Sequence, residues 1–72
     1  MKKKMKIEGM SCEHCVNHVK NALEEIEGVS DIVVELDSKT ATFNASDDVK
    51  DYNIKHAVEE AGYEVVNIEI VI

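Results

Sequence analysis

A two-layer α+β domain with the element order βαββαβ is predicted by three features of the 72-residue sequence. Stretches near both ends and in the middle alternate apolar and polar residues, as strands buried on one face do. Two other stretches repeat apolar residues at three- and four-residue spacing, the pattern of a helix with one buried stripe. Each helical stretch ends at a glycine, Gly28 or Gly62, and a β-branched run follows. The chain therefore reads as two βαβ halves.

Strand one is Lys2 to Glu8, with Met5 and Ile7 on one face and Lys4, Lys6 and Glu8 on the other. The basic run Lys2-Lys3-Lys4 protects and solubilises it. From Glu13 to Glu27 the stripe is Val16, Val19, Leu23 and Ile26, while Asn17, Lys20, Glu24 and Glu25 face water. Gly28 supplies the left-handed position that stops this helix. Asp31 to Asp37 is the second strand, with Ile32, Val34 and Leu36 inward. Asp37-Ser38-Lys39 turns the chain into Thr40 to Asn44, where Ala41 and Phe43 are inward, without the Asn-Gly signal of the tightest hairpins. Asp47, Asp48 and Asp51 are candidate caps for the second helix, and Asp51 is preferred. Ile54, Ala57, Val58 and Ala61 form its stripe, and Gly62 ends it. In the last strand, Tyr63 to Ile72, the residues Val66, Ile68, Ile70 and Ile72 share one face. Two right-handed split crossovers of this kind give a four-stranded antiparallel sheet with both helices on one face. This is the ferredoxin-like fold, expected as a single domain over residues 1–72.

A formal net charge of −7 argues against nucleic acid and anionic membrane as partners. No apolar stretch approaches the roughly 18 residues of a membrane span. The lysine-rich start is not followed by the apolar segment of a secretory signal, so a reducing, cytoplasmic setting is expected. In that setting a CxxC pair binds metal or does redox chemistry rather than forming a structural bridge.

Both cysteines lie in Gly9-Met10-Ser11-Cys12-Glu13-His14-Cys15, between the first strand and the first helix. The unpaired N–H groups and positive dipole end of a helix start favour negative charge, and hence thiolate. Cys15 falls in the first turn, and Cys12 lies in the loop or at the cap. Two thiolates are too few for structural zinc, and they are unlike the hard oxygen sites of magnesium or calcium. Copper(I) and mercury(II) accept two sulfurs.

The same seven residues match the GMxCxxC motif of the heavy-metal-associated domain, and the chain resembles that family over most of its length. Gly28-Val29 and Ala57-Val58-Glu59-Glu60-Ala61-Gly62-Tyr63 carry the likeness further. Within the family it is most similar to small bacterial cytosolic copper chaperones. The resemblance implies copper(I) held by Cys12 and Cys15 and handed to the metal-binding domain of a copper-transporting P-type ATPase or to a copper-responsive regulator. Transfer would run by ligand exchange, a partner's sulfur joining the ion before one of this chain's thiolates leaves. Copper shared between two copies, as a metal-bridged homodimer, is a further expectation from the family.

The neighbours have competing readings. Met10 is a core anchor for the loop or a thioether ligand. His14 is a solvated side chain, a third ligand, or a charge that tunes the thiols. His14 and His18 share a helix face, which allows a two-histidine zinc or nickel site; His56 has no evident partner and reads as surface. Tyr63 follows Gly62 on a loop beside the metal loop, where its phenol covers the core edge or donates to sulfur. The acidic excess is a solvated face or steers the chain to a basic docking surface. Rival functions are a zinc, cadmium or mercury module of the same fold, an excised ATPase domain, and a thiol-disulfide oxidoreductase. The last fits poorly, because such proteins place a cis-proline at the active site and this chain has no proline.

Overall fold

The computed structural model describes residues 1–71. Its elements are β1 (Lys2–Glu8), α1 (Glu13–Glu24), β2 (Val29–Glu35), β3 (Thr40–Ala45), α2 (Asp51–Glu60) and β4 (Glu64–Ile70). The strands form one antiparallel sheet in the order β2-β3-β1-β4, the predicted ferredoxin-like arrangement. Met5 and Ile7 of β1, Ala41, Phe43 and Ala45 of β3, and Val65 of β4 form the buried face of the sheet. Val19 and Leu23 of α1, with Ile54 and Val58 of α2, cover it. Among the described residues no helix is long and apolar enough to cross a membrane.

Several boundaries differ from the sequence reading. Helix α1 stops at Glu24, a turn before the expected Glu27, and Ile26 N–H closes a tighter turn on the Leu23 carbonyl. Gly28 therefore does not cap the helix. It has φ +95° and leads into β2, with its carbonyl accepting from Ser46 N–H at 2.9 Å. A Cβ there would lie 2.6 Å from Ser46 Oγ and 2.8 Å from Val49 Cγ2, so the close approach as well as the dihedral requires glycine. Strand β2 runs from Val29 to Glu35 rather than from Asp31 to Asp37, because Val29 and Ser30 already pair with Ala45 and Asn44 of β3; inside it Asp31 takes a left-handed conformation at φ 52°, at a bulge. Asn44 Nδ2 donates to its carboxylate at 2.8 Å. Helix α2 is capped by the backbone of Lys50, not by the Asp51 side chain. Asp51 is the first helical residue and instead pairs with Lys3. Lys3 is thus buried on the core side of β1 rather than part of an exposed basic run. Ala61 is exposed at the helix end rather than part of the buried stripe.

The inward face of β4 differs from the expected one for a physical reason. Between Lys6/Asn67 and Ile7/Val65 the register shifts, leaving Val66 as an extra, unpaired residue. A bulge of this kind reverses the alternation. Val65 is consequently buried and Ile68 half-buried, whereas Val66 and Ile70 are exposed. Ile72, assigned to the same face, lies outside the described residues. Both edge strands, β2 and β4, carry a bulge, a common guard against edge-to-edge pairing.

Candidate metal centre

Strand β1 delivers the chain to a loop at one end of the sheet, and α1 starts immediately after it. Cys12 occupies the N-cap with extended dihedrals, φ −158° and ψ 173°. Its carbonyl accepts the N–H groups of Cys15 (3.0 Å) and Val16 (3.2 Å), so the first turn is already wound at the second cysteine. This winding brings the sulfurs to 3.8 Å. That distance is far beyond the roughly 2.0 Å of a disulfide, and both thiols are free. Cys12 is exposed and Cys15 half-buried.

The two sulfurs have different surroundings. The Cys15 thiol is lowered from 9.0 to about 6. The backbone N–H of Ser11 contributes most, then the Tyr63 hydroxyl, and then Cys12 through side chain and backbone; burial works in the opposite direction. Tyr63 responds in reverse, its phenol pushed up to about 12 chiefly by the hydrogen bond to Cys15 and then by burial. The Tyr63 hydroxyl also lies 3.1 Å from Nδ1 of His18, in hydrogen-bond distance. Ser11 Oγ stands 4.0 Å from Cys15 Sγ.

Helix α2 explains how Tyr63 reaches this place. The N–H of Gly62 bonds the Glu59 carbonyl (3.0 Å) and that of Tyr63 the Val58 carbonyl (3.4 Å), with Gly62 at φ +101°. This Schellman-type ending directs the next residue back across the helix end. The ring then passes the metal loop, where a Cβ on Gly9 would lie 3.6 Å from Tyr63 Cδ1. Met10 is buried in the core cluster with Met5, Ile7 and Leu23. His14 is exposed, and among the described residues no cluster of three or more His, Cys, Asp or Glu side chains is poised around one ion. His56 is exposed, and its Nε2 lies 3.6 Å from Oε1 of Glu60 one turn on. The residue that the sequence reading missed is His18 as the partner of Tyr63. The helix face it shares with His14 was legible, but nothing in the sequence signals a contact across 45 positions.

Comparison with known proteins agrees with this geometry. The sequence pattern of the family described as "Heavy-metal-associated domain" matches residues 4–64. The chain belongs to the heavy-metal-associated domain family. Among curated members, it is 45% identical over 62 residues to the copper chaperone CopZ of Staphylococcus epidermidis, covering 85% of this chain and 91% of that protein. Among solved members, a CopZ metallochaperone superposes with a TM-score of 0.87 at 36% identity, over 92% of this chain and 100% of the other. A further heavy-metal-associated structure is the N-terminal domain of a potential copper-translocating P-type ATPase from Bacillus subtilis in the Cu(I)-loaded state. It has a TM-score of 0.82 at 30% identity, covering 96% of this chain and 84% of that one.

Proposed function

We propose that this chain is a copper chaperone that carries one copper(I) ion on Cys12 and Cys15. The observation that carries the reading is the pair of free sulfurs 3.8 Å apart at a helix start, one of them favoured as thiolate near neutral pH. Soft thiolates select copper(I) over hard cations, and two of them leave the coordination sphere open to another sulfur. The names and loaded state of its relatives support copper(I) as the cargo. Delivery goes to a CxxC domain of a copper-transporting P-type ATPase, in a reducing compartment such as the cytoplasm where the thiols stay free. A sulfur of the partner joins the ion first, exposed Cys12 leaves, and Cys15 follows. Charge is conserved throughout, because thiolates exchange and the copper stays in one oxidation state.

The test is a competition titration of the reduced protein with copper(I), zinc(II) and mercury(II), the copper buffered by a thiol-competing chelator. One tightly held copper per chain is expected, resistant to zinc and lost in the Cys12→Ser/Cys15→Ser variant. Zinc held in preference, or copper uptake surviving without the cysteines, overturns the reading. For the transfer step, a Cys12→Ser protein that passed copper to a CxxC partner at the parent rate would sink the proposed order of release.

A further inference from the structure

Helix α2 ends on two neighbouring carboxylates, Glu59 and Glu60, and its last turn holds no basic residue. A helix C-terminus already carries unpaired carbonyl groups and the negative end of the dipole, so it favours cations. The side-chain charge in this turn therefore has the sign that the helix end disfavours. One turn back stands His56, whose Nε2 lies 3.6 Å from Oε1 of Glu60. Both side chains are largely exposed, at 72% and 70%, and reachable from solvent.

The separation decides what this pair can do. At 3.6 Å the two atoms are too far apart for a good hydrogen bond, whose usual range ends near about 3.2 Å. Zinc holds an imidazole nitrogen and a carboxylate oxygen each at about 2.1 Å, so in tetrahedral geometry the two stand roughly 3.4 Å apart. His56 and Glu60 already present nearly this spacing, because residues four apart on a helix are surface neighbours. Among the described residues no third His, Cys, Asp or Glu side chain joins them. The chain thus supplies two ligands, and water or a partner's side chain fills the other positions. Glu59 lies on the other flank, where Lys55 precedes it by four residues as His56 precedes Glu60. On α1, His14 and His18 repeat the four-residue step, but Nδ1 of His18 already meets the Tyr63 hydroxyl at 3.1 Å.

We propose that His56 and Glu60 form a metal site distinct from the thiol pair, at the end of α2, for a borderline divalent cation such as zinc(II) or nickel(II). An imidazole with a carboxylate suits such ions, whereas two thiolates select a soft one. A bound cation also supplies the positive charge that the last turn of α2 lacks. With only two protein ligands the site is weak and exchanges its metal freely. The assignment does not depend on what Cys12 and Cys15 carry.

The test uses the full chain with Cys12→Ser/Cys15→Ser, which removes the thiols as competing ligands. Zinc chloride is added at pH 7.5, above the ordinary imidazole value of about 6.5, and the ring signals of all three histidines are followed by NMR. A saturable shift of the His56 ring, ahead of His14 and His18, is expected. Equilibrium dialysis counts one zinc per chain, lost in His56→Ala. Glu60→Gln weakens binding at least about tenfold, the lower end of what even a residue behind a metal ligand contributes. Glu59→Gln, which removes only a screened neighbouring charge, changes it less than about twofold. Magnesium(II), which takes oxygen ligands, leaves the His56 ring unmoved. Zinc reaching His14 or His18 first, equal losses from Glu59→Gln and Glu60→Gln, or a His56 ring that magnesium shifts as zinc does, overturns the proposal.

Discussion

The amino group of Lys3 in β1 and the carboxylate of Asp51 at the start of α2 form an ion pair that ties the sheet to the second helix. The two ends are unequal: the Lys3 side chain is 11% exposed, that of Asp51 57%. Removing one partner is therefore not the same as removing the other. Asp51→Asn leaves a largely buried ammonium without its counter-charge, and a loss of about 1 kcal/mol in urea unfolding is expected after allowing for solvent screening at the aspartate. Lys3→Met replaces the buried charge by an apolar chain of similar length and is expected to stay within about 0.5 kcal/mol of the parent. Equal losses from both changes would contradict this account.

The bulge in β4 gives a paired prediction. Val65 is 8% exposed and Val66 49%, although an unbroken alternation would have made Val66 the buried one. Val65→Ala is expected to cost about 1–2 kcal/mol and Val66→Ala less than about 0.5 kcal/mol, measured by the same unfolding experiment. A larger loss at Val66 would mean that the strand runs in the unbulged register.

Thiol reactivity follows from the surroundings of Cys15. In a Cys12→Ser chain, where the serine hydroxyl stands in for the neighbouring thiol, the alkylation rate of Cys15 should rise with pH through a midpoint near 6 rather than 9.0. Tyr63→Phe removes one of the groups that favour the thiolate and should move the midpoint upward. A midpoint in the ordinary thiol range would show that the helix start does not activate this sulfur.

Stability should depend on pH through the same pair. Cys15 has a folded-state value of about 6, below its ordinary 9.0, so the native fold favours the thiolate. Its contribution is fully present above pH 9.0 and is lost as pH falls through about 6. Tyr63 is raised from 10.0 to about 12, so its contribution is present below pH 10.0 and lost as pH rises through about 12. The Tm of the reduced, metal-free protein minus that of Cys15→Ser should therefore increase from pH 6 to pH 9. A difference that is flat over this interval would contradict the assignment of the shift to the folded state.

Gly28 supplies a further test, because its carbon has no room to grow. Gly28→Ala places a methyl group 2.6 Å from Ser46 Oγ in a left-handed backbone, and a loss of about 2 kcal/mol is expected. Gly62→Ala meets no neighbour within 4 Å and should cost only the dihedral penalty, about 1 kcal/mol. Thermal unfolding of the two variants side by side separates the steric cost from the conformational one.

Much of the molecule was legible in the sequence because its signals are local. Alternation at Met5 and Ile7, the Val19–Leu23 and Ile54–Val58 stripes, and the cysteines at a strand-to-helix junction each follow from a few adjacent residues, and the structure repeats them. Errors came where tertiary pairing inserted a residue or supplied a partner. The extra residue at Val66 reversed a strand face, Asp31 took a left-handed conformation inside a strand, and Lys3 turned inward to meet a carboxylate 48 positions away. The element order, the core stripes and the thiol pair were thus determined by the sequence itself, since periodicity and helix-start chemistry act over a turn or two. The registers of the edge strands, the closeness of Tyr63 to Gly9 and the bond between His18 and Tyr63 were decided by the tertiary structure. Those relationships exist only once α1, α2 and the metal loop have packed on one sheet, and no short-range pattern encodes a distance between residues 45 positions apart.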